Sequence, residues 1–359
     1  MQDLSSTEGL QQESLEQLVR GAKYLRLQIG RDGGWHSHHY GQLKDGAAIT
    51  ALILYTLAKL PAAQRAKFTP ELLRGQAFLS AGLAKKQAPA APDGTLDFPT
   101  YAAAHWLLAI QALGGDFRND KTEELLAKFL VESQLTEGRG FASDHPQYGG
   151  WDFLSRADAQ GITTGTSISV TSLVIRALLT LPETNERELS IERGTDYVHR
   201  CRTKEGFAFT TEPMSLSNKA GYVDSKQLEA RPYGSATCDG VLVLAAAKSD
   251  HEWKSDAAIV WLQKQLNLEI VPGFETLPQE VDWQRGLRYY YYASLAPLLV
   301  HFTPNNRATF AKGILAELKK EVRRDGSWAN ASSRMREDDP LIATAFAVQA
   351  LASLTAHFA

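Results

Sequence analysis

The chain has 359 residues, 44% hydrophobic and 22% charged, with 38 basic against 41 acidic side chains. That is the composition of an ordinary globular protein and excludes disordered, collagen-like and disulfide-scaffold classes. A net charge of −3 with no basic stripe leaves no footprint for nucleic acid. The two cysteines, Cys201 and Cys238, are far apart and lack metal-type spacing. Met1 to Val19 carries no signal-type apolar run. A mature secreted domain behind a methionine would read the same, so the compartment stays open. No apolar stretch reaches the ~20 continuous positions of a spanning helix.

The first predicted unit sets the pattern. Ser14 to Ile29 places Leu15, Leu18, Val19, Ala22 and Leu25 on one helical face. Arg31-Asp32-Gly33-Gly34-Trp35 ends it, and Ala47 to Leu60 follows, apolar on every face until Lys59 and therefore buried all round. The grammar returns five times. Thr69 to Lys86 leads through Gly94 and Phe98 to Tyr101–Leu113, and Lys121 to Gln134 through Gly140-Phe141 to Ser167–Leu181. Ser190 to Cys201 leads through Gly206-Phe207 to Ser235–Ala247, and Ser255 to Leu266 through Gly273-Phe274 to Gly286–Val300. Thr309 to Val322 leads through Gly326 and Trp328 to Leu341–Leu354.

Length alone suggests roughly two domains of ~150 residues, but the repetition overrides that prior. An open stack needs polar terminal caps, and here the first and last inner segments are as apolar as the middle ones. The expected fold is all-α: one (α/α)6 toroid over residues 14–359, six hairpins of outer and inner helices, preceded by a polar extension over residues 1–13.

The glycine–aromatic punctuation, with Gln28 ahead of Gly33-Gly34-Trp35 and Gln134 ahead of Gly140-Phe141, resembles the repeat of squalene/hopene cyclases and protein prenyltransferase β subunits. The last unit, Arg324 to Trp328 through Asp338-Asp339-Pro340, is the most similar. The likeness runs from about Ser14 to the end, with a glutamine-to-aromatic interval one residue longer than usual. It implies the toroid and a central pocket for an isoprenoid or other apolar molecule. It leaves the oligomeric state open.

The resemblance also points to chemistry. Cyclases of this kind protonate an alkene from an Asp-x-Asp-Asp motif, and Arg336-Glu337-Asp338-Asp339 stands in its place, with Asp338 matching the donor and Arg336 replacing the first aspartate. The competing reading has Asp339 capping a helix whose first residue is Pro340, with Asp338 ionised. Prenyltransferase zinc needs an aspartate, a cysteine and a histidine. Cys238 is present, but Ala236 and Ala343 occupy the other two positions, which argues against zinc there.

The residue types suggest other sites. His36, His38 and His39 are close enough to ligate zinc or copper if Asp45, His105 or Asp239 completes the set; a polar surface loop accounts for them equally. Tyr101, His105, Trp151, Asp152, Tyr233, Cys238, Trp283, Tyr289 and Tyr290 cluster where inner segments begin and are the candidate pocket lining. Asp338, Asp339 and Asp239 are the candidate catalytic residues. A second reading is a carbohydrate-active toroid with a carboxylate pair drawn from Asp152, Asp239, Asp282 and Asp338, which ~5 or ~6.5–9.5 Å of separation would identify. A third is an interaction scaffold with a filled ring. The long connections Leu135–Thr166 and Phe207–Gly234 are expected side by side over one end, as lids or binding loops.

Overall fold

The half-apolar and wholly apolar segments sort into two concentric helical layers. A computed structural model describes residues 7–86, 88–90, 97–153, 165–212, 215–224, 226, 229–247, 256–275 and 282–358. The outer layer holds α1 (Thr7–Leu27), α3 (Thr69–Lys86), α5 (Asp120–Glu132), α7 (Asn185–Arg200), α9 (Ala257–Gln263) and α11 (Pro304–Glu321). The inner layer holds α2 (Ala47–Ala58), α4 (Pro99–Leu113), α6 (Ile168–Leu178), α8 (Gly234–Ala246), α10 (Arg288–Leu295) and α12 (Pro340–Phe358). Short helical turns join them. Among the described residues there is no strand, only two isolated bridges, Arg202 with Phe207 and Tyr222 with Ala230.

Each inner helix packs on the next, and α12 returns to α2, so the inner layer is a closed ring. Every residue of α2 is buried, as the absence of a polar face requires. The ring is sealed across the termini, where α1 packs on α12; Ser14 Oγ lies 3.0 Å from Thr355 Oγ1 and donates to the Leu351 carbonyl at 3.2 Å. By length and composition α12 would cross a membrane, yet 83% of its most apolar window is buried in the protein.

Two details differ from the sequence reading. Helix α1 begins at Thr7, so residues 7–13 of the polar stretch form its first turns, and Leu10 packs against the core. The hairpins also pair the other way round. Helix α3 packs on α2, α5 on α4, α7 on α6 and α9 on α8, each outer helix on the inner one before it. Short links fold back locally, whereas the glycine–aromatic connections are long and cross one end of the ring.

Those connections are anchored by one recurring device. The indole N–H of Trp35, Trp151 and Trp328 donates to the carbonyl of Leu25, Leu130 and Leu318 at 2.6, 2.7 and 2.8 Å. Their backbone N–H groups donate to Thr50, Thr171 and Thr344 Oγ1 at 2.8, 3.1 and 2.9 Å, and Phe207 does the same to Thr237 at 3.2 Å. The third unit's punctuation is therefore Gly149-Gly150-Trp151, not Gly140-Phe141. Gly149 holds φ +80° with the Arg193 carbonyl 2.4 Å from where a β-carbon would stand, a place for glycine alone.

Candidate functional site

The inner helices run parallel. Their first turns meet at one end, where Glu337, just before α12, accepts the Tyr290 N–H from the first turn of α10 at 2.8 Å. Their last turns meet at the other, where Arg176 of α6 donates to the Tyr55 hydroxyl of α2 at 3.4 Å. Between them the ring encloses a cavity of about 200 Å³ along its axis. The end where the inner helices begin is its mouth, framed by Phe98, Phe153, Phe209 and Met335; the middle is walled by Ile49, Leu52, Leu173, Ile342 and Phe346.

Asp239 is the polar centre of this wall. It is 2% exposed, and its carboxylate accepts hydroxyl hydrogen bonds from Ser169 at 2.7 Å, Tyr290 at 2.9 Å and Ser294 at 3.2 Å. Burial pushes its pKa up to about 6, and those hydroxyls pull the other way by favouring the anion. The Tyr101 and His105 rings lie beside it, tilted by 52° with their centres 4.1 Å apart. Burial lowers His105 to about 3, so its ring is neutral, and Nδ1–H donates to the Tyr101 carbonyl at 3.0 Å.

Two further buried carboxylates hold the inner helices in place. Glu337 accepts the backbone N–H of Tyr289 at 3.0 Å and of Tyr290 at 2.8 Å, capping α10. Asp97 accepts those of Gly46 at 3.1 Å and Ala48 at 2.7 Å, capping α2. Burial raises both to about 7 against those hydrogen bonds. Each adjoins a non-glycine residue at positive φ, Phe98 at 44° and Arg336 at 64°. The Arg336 guanidinium lies 4.9 Å from the Phe98 ring centre, so these two strained residues meet at the mouth, as strain often does at binding sites.

Of the candidate pocket residues, Tyr101, His105, Tyr233 and Tyr290 line the cavity, and so does Asp239, expected as a catalytic residue. Trp151, Asp152, Cys238, Trp283 and Tyr289 lie outside its lining. Trp151 is the buried loop anchor described above. Asp152 and Cys238 are buried within the wall, and burial pushes the Cys238 thiol well above its ordinary range. Trp283 stands behind Lys219, whose ammonium is 5.7 Å from its ring. Tyr289 turns into the shell, where Arg288 lies 5.4 Å from its ring.

The acidic run before α12 divides its work. Asp338 is outside the lining, and its Oδ1 accepts the Tyr40 hydroxyl. Asp339 accepts the Leu341 N–H at 2.9 Å and the Ser37 hydroxyl at 2.5 Å, so it caps α12. Glu337, one residue before the expected donor, is the carboxylate that faces the cavity. Asp282 caps the turn at Trp283–Gly286. His36 Nδ1 lies 2.7 Å from the Lys44 carbonyl and Nε2 3.1 Å from Asp32, while His38 and His39 are exposed. Among the described residues no three His, Cys, Asp or Glu side chains converge as metal ligands, because the histidine loop faces outward.

Four cationic side chains line the cavity, none of them expected there from the sequence: Lys219 and Arg336 at the mouth, Lys59 and Arg176 at the far end. Lys219 comes from the connection 207–233, and its ammonium sits 3.4 Å from the centre of the Phe209 ring. Burial lowers it to about 7. That connection touches the other long one, Thr211 donating to the Pro146 carbonyl, and each contributes a phenylalanine to the mouth. Residues 154–164 of the second connection lie outside the described residues.

No family model matches the sequence, and no curated protein matches it. Solved structures do match its fold. The type II terpene cyclase MstE from Scytonema, as a variant in complex with geranylgeranyl dihydroxybenzoate, superposes with a TM-score of 0.63 over 97% of this chain and 99% of that one, at 14% identity. The GH76A alpha-1,6-mannanase from Salegentibacter superposes at 0.57 over 95% and 100%, at 11% identity. The chain is an α/α toroid.

Proposed function

We propose that the axial cavity binds an elongated apolar ligand of isoprenoid type. The observation that carries this reading is an unfilled ring axis of about 200 Å³ walled by leucine, isoleucine and aromatic side chains. Protein interiors close-pack, and a void lined by apolar groups costs stability, so a fold that keeps one along its axis is suited to a guest. The resemblance in the repeats and the fold shared with a cyclase that holds a geranylgeranyl substrate support the same class of ligand. Asp239, with Tyr101 and Tyr290 beside it, is placed to touch the middle of such a chain. An ionised carboxylate between aromatic faces suits a cationic centre or a departing proton. Asp338 stands outside the cavity and has no such reach.

The carbohydrate reading needs two carboxylates facing each other across the site. Of its four candidates only Asp239 reaches the cavity, and Glu337, the other carboxylate there, is held by two backbone N–H groups. Titration with farnesol, followed by native mass spectrometry and tyrosine fluorescence, tests the proposal. One molecule should bind per chain. Ala293→Trp, which fills the cavity beside Tyr290, should abolish binding without unfolding the protein. Unchanged affinity in that variant places the ligand elsewhere and overturns the reading.

A further inference from the structure

The far end of the cavity is built differently from its middle. Arg176 reaches it from the last turn of α6 and Lys59 from just past the end of α2, while Ser172 lines the cavity one turn of α6 nearer its middle. Residues 172 and 176 are one helical turn apart, on the face of α6 that also carries Ser169. Arg176 donates to the Tyr55 hydroxyl at 3.4 Å, and the Lys59 ammonium lies 5.5 Å from the centre of the same tyrosine ring. Two cations therefore converge on one phenol that is 8% exposed.

Beyond Tyr55, neither cation is held by a charged partner: among the described residues no carboxylate comes within ion-pair distance of Arg176 or Lys59. Lysine and arginine near a helix C-terminus commonly satisfy its last carbonyls, but at the end of α2 Arg65 does this, donating to Ala58 at 2.9 Å and to Ala112 of α4 at 3.3 Å. Asp239 feels Arg176 through space, yet its hydrogen bonds come from hydroxyls. The Ser172 hydroxyl is buried in the same wall with no hydrogen-bond partner among the described residues. A buried donor without an acceptor is costly, and Ser172 faces the same space as the two half-buried cations.

We propose that Arg176, Lys59, Ser172 and the Tyr55 hydroxyl form a site for the carboxylate of an isoprenoid-type acid, with its chain running along the axis toward the mouth. The inference rests on the reading of the cavity as an apolar-ligand site and adds the head group and its orientation. Charge counting selects a monoanion. At the far end Arg176 and Lys59 contribute two positive charges against the one negative charge of Asp239, which Arg176 reaches through space. Lys219, Arg336 and Glu337 line the cavity nearer the mouth. One carboxylate neutralises the local excess at the far end. A diphosphate would leave excess negative charge facing Asp239. The local field supports the count: burial alone would raise Tyr55, but Lys59 and Arg176 overcome it and hold the phenol below its ordinary value.

Three probes of one chain test this: farnesoic acid, its methyl ester, and farnesol, titrated at pH 8 by calorimetry. The acid should bind about ten- to a hundredfold more tightly than the other two, the worth of one charge-assisted hydrogen bond. Arg176→Gln should collapse the acid-to-alcohol ratio to near one, Arg176→Lys should keep part of it, and Ser172→Ala should reduce it. Thermal melts establish that each variant is folded. Equal affinity of acid and alcohol for the native protein overturns the head-group site while leaving the apolar-ligand reading intact. Failure of all three probes overturns that underlying reading. A ratio that survives Arg176→Gln and disappears in Lys219→Gln places the carboxylate at the mouth and overturns the orientation.

Discussion

A β-carbon on Gly194 would stand 2.6 Å from Cζ3 of Trp151. The outer helix α7 is notched at that glycine to seat the indole that anchors the connection into α6. Gly75 and Gly21 seat Trp35 and Trp328 in the same way, with indole carbons at 2.9 and 2.8 Å. The toroid is thus locked between successive units by a ring in a notch.

Gly194→Ala should therefore destabilise the protein. Helix propensity alone would favour alanine by about 0.5–1 kcal/mol, but overpacking against a buried indole costs about 1–3 kcal/mol. The expected net loss is about 1–2 kcal/mol in urea denaturation. A neutral or stabilising result would mean that the indole has room to shift.

The threonines that receive the anchor N–H groups carry a second expectation. Thr171→Val keeps the shape and leaves the Trp151 N–H buried without its acceptor, a cost of about 1–3 kcal/mol. Thr50→Val and Thr344→Val should behave alike. Because the three sites are separate, a double variant should lose the sum to within about 0.5 kcal/mol.

Asp338 and Asp339 should part company on mutation. Asp339→Ala removes the α12 cap and the acceptor for Ser37, for about 1–2 kcal/mol of stability. Asp338→Asn keeps an acceptor for the Tyr40 hydroxyl and should leave ligand affinity within about twofold, a change under ~0.5 kcal/mol. A large loss of affinity in Asp338→Asn would return that residue to the site.

Asp97 and Glu337 predict a pH dependence of stability. Burial raises both to about 7, so between about pH 4 and 7 the folded chain holds protons that the unfolded chain has released. Their contribution is fully present below about pH 4 and is lost as pH rises through 7, by up to about 1.4 kcal/mol per pH unit for each group. Glu337→Gln should flatten its share of that slope. Stability curves of variant and native protein that run parallel from pH 4.5 to 8 would contradict the assignment.

How much of this was readable in the sequence depended on the kind of signal. Helical periodicity, the buried inner segments and the repeat are local patterns, and together they determine an α/α toroid. Asp339 was readable as a cap because Pro340 follows it. Gly149-Gly150-Trp151 is not legible as an anchor, since its long connection places Gly140-Phe141 nearer the helix end.

The run Tyr289 to Tyr292 shows where sequence stops. At ~100° per residue consecutive side chains spread around a helix, and only the placement of α10 in the ring turns Tyr290 to the axis and Tyr289 into the shell. Lys219 and Arg176 reach one cavity from opposite ends, although neither has a neighbour in sequence that signals it. The sequence by itself determined which faces must be buried and hence the closed ring. Which polar and charged groups share its axis was decided only by tertiary structure, because closing the ring brings together residues from six helices whose separations along the chain carry no common period.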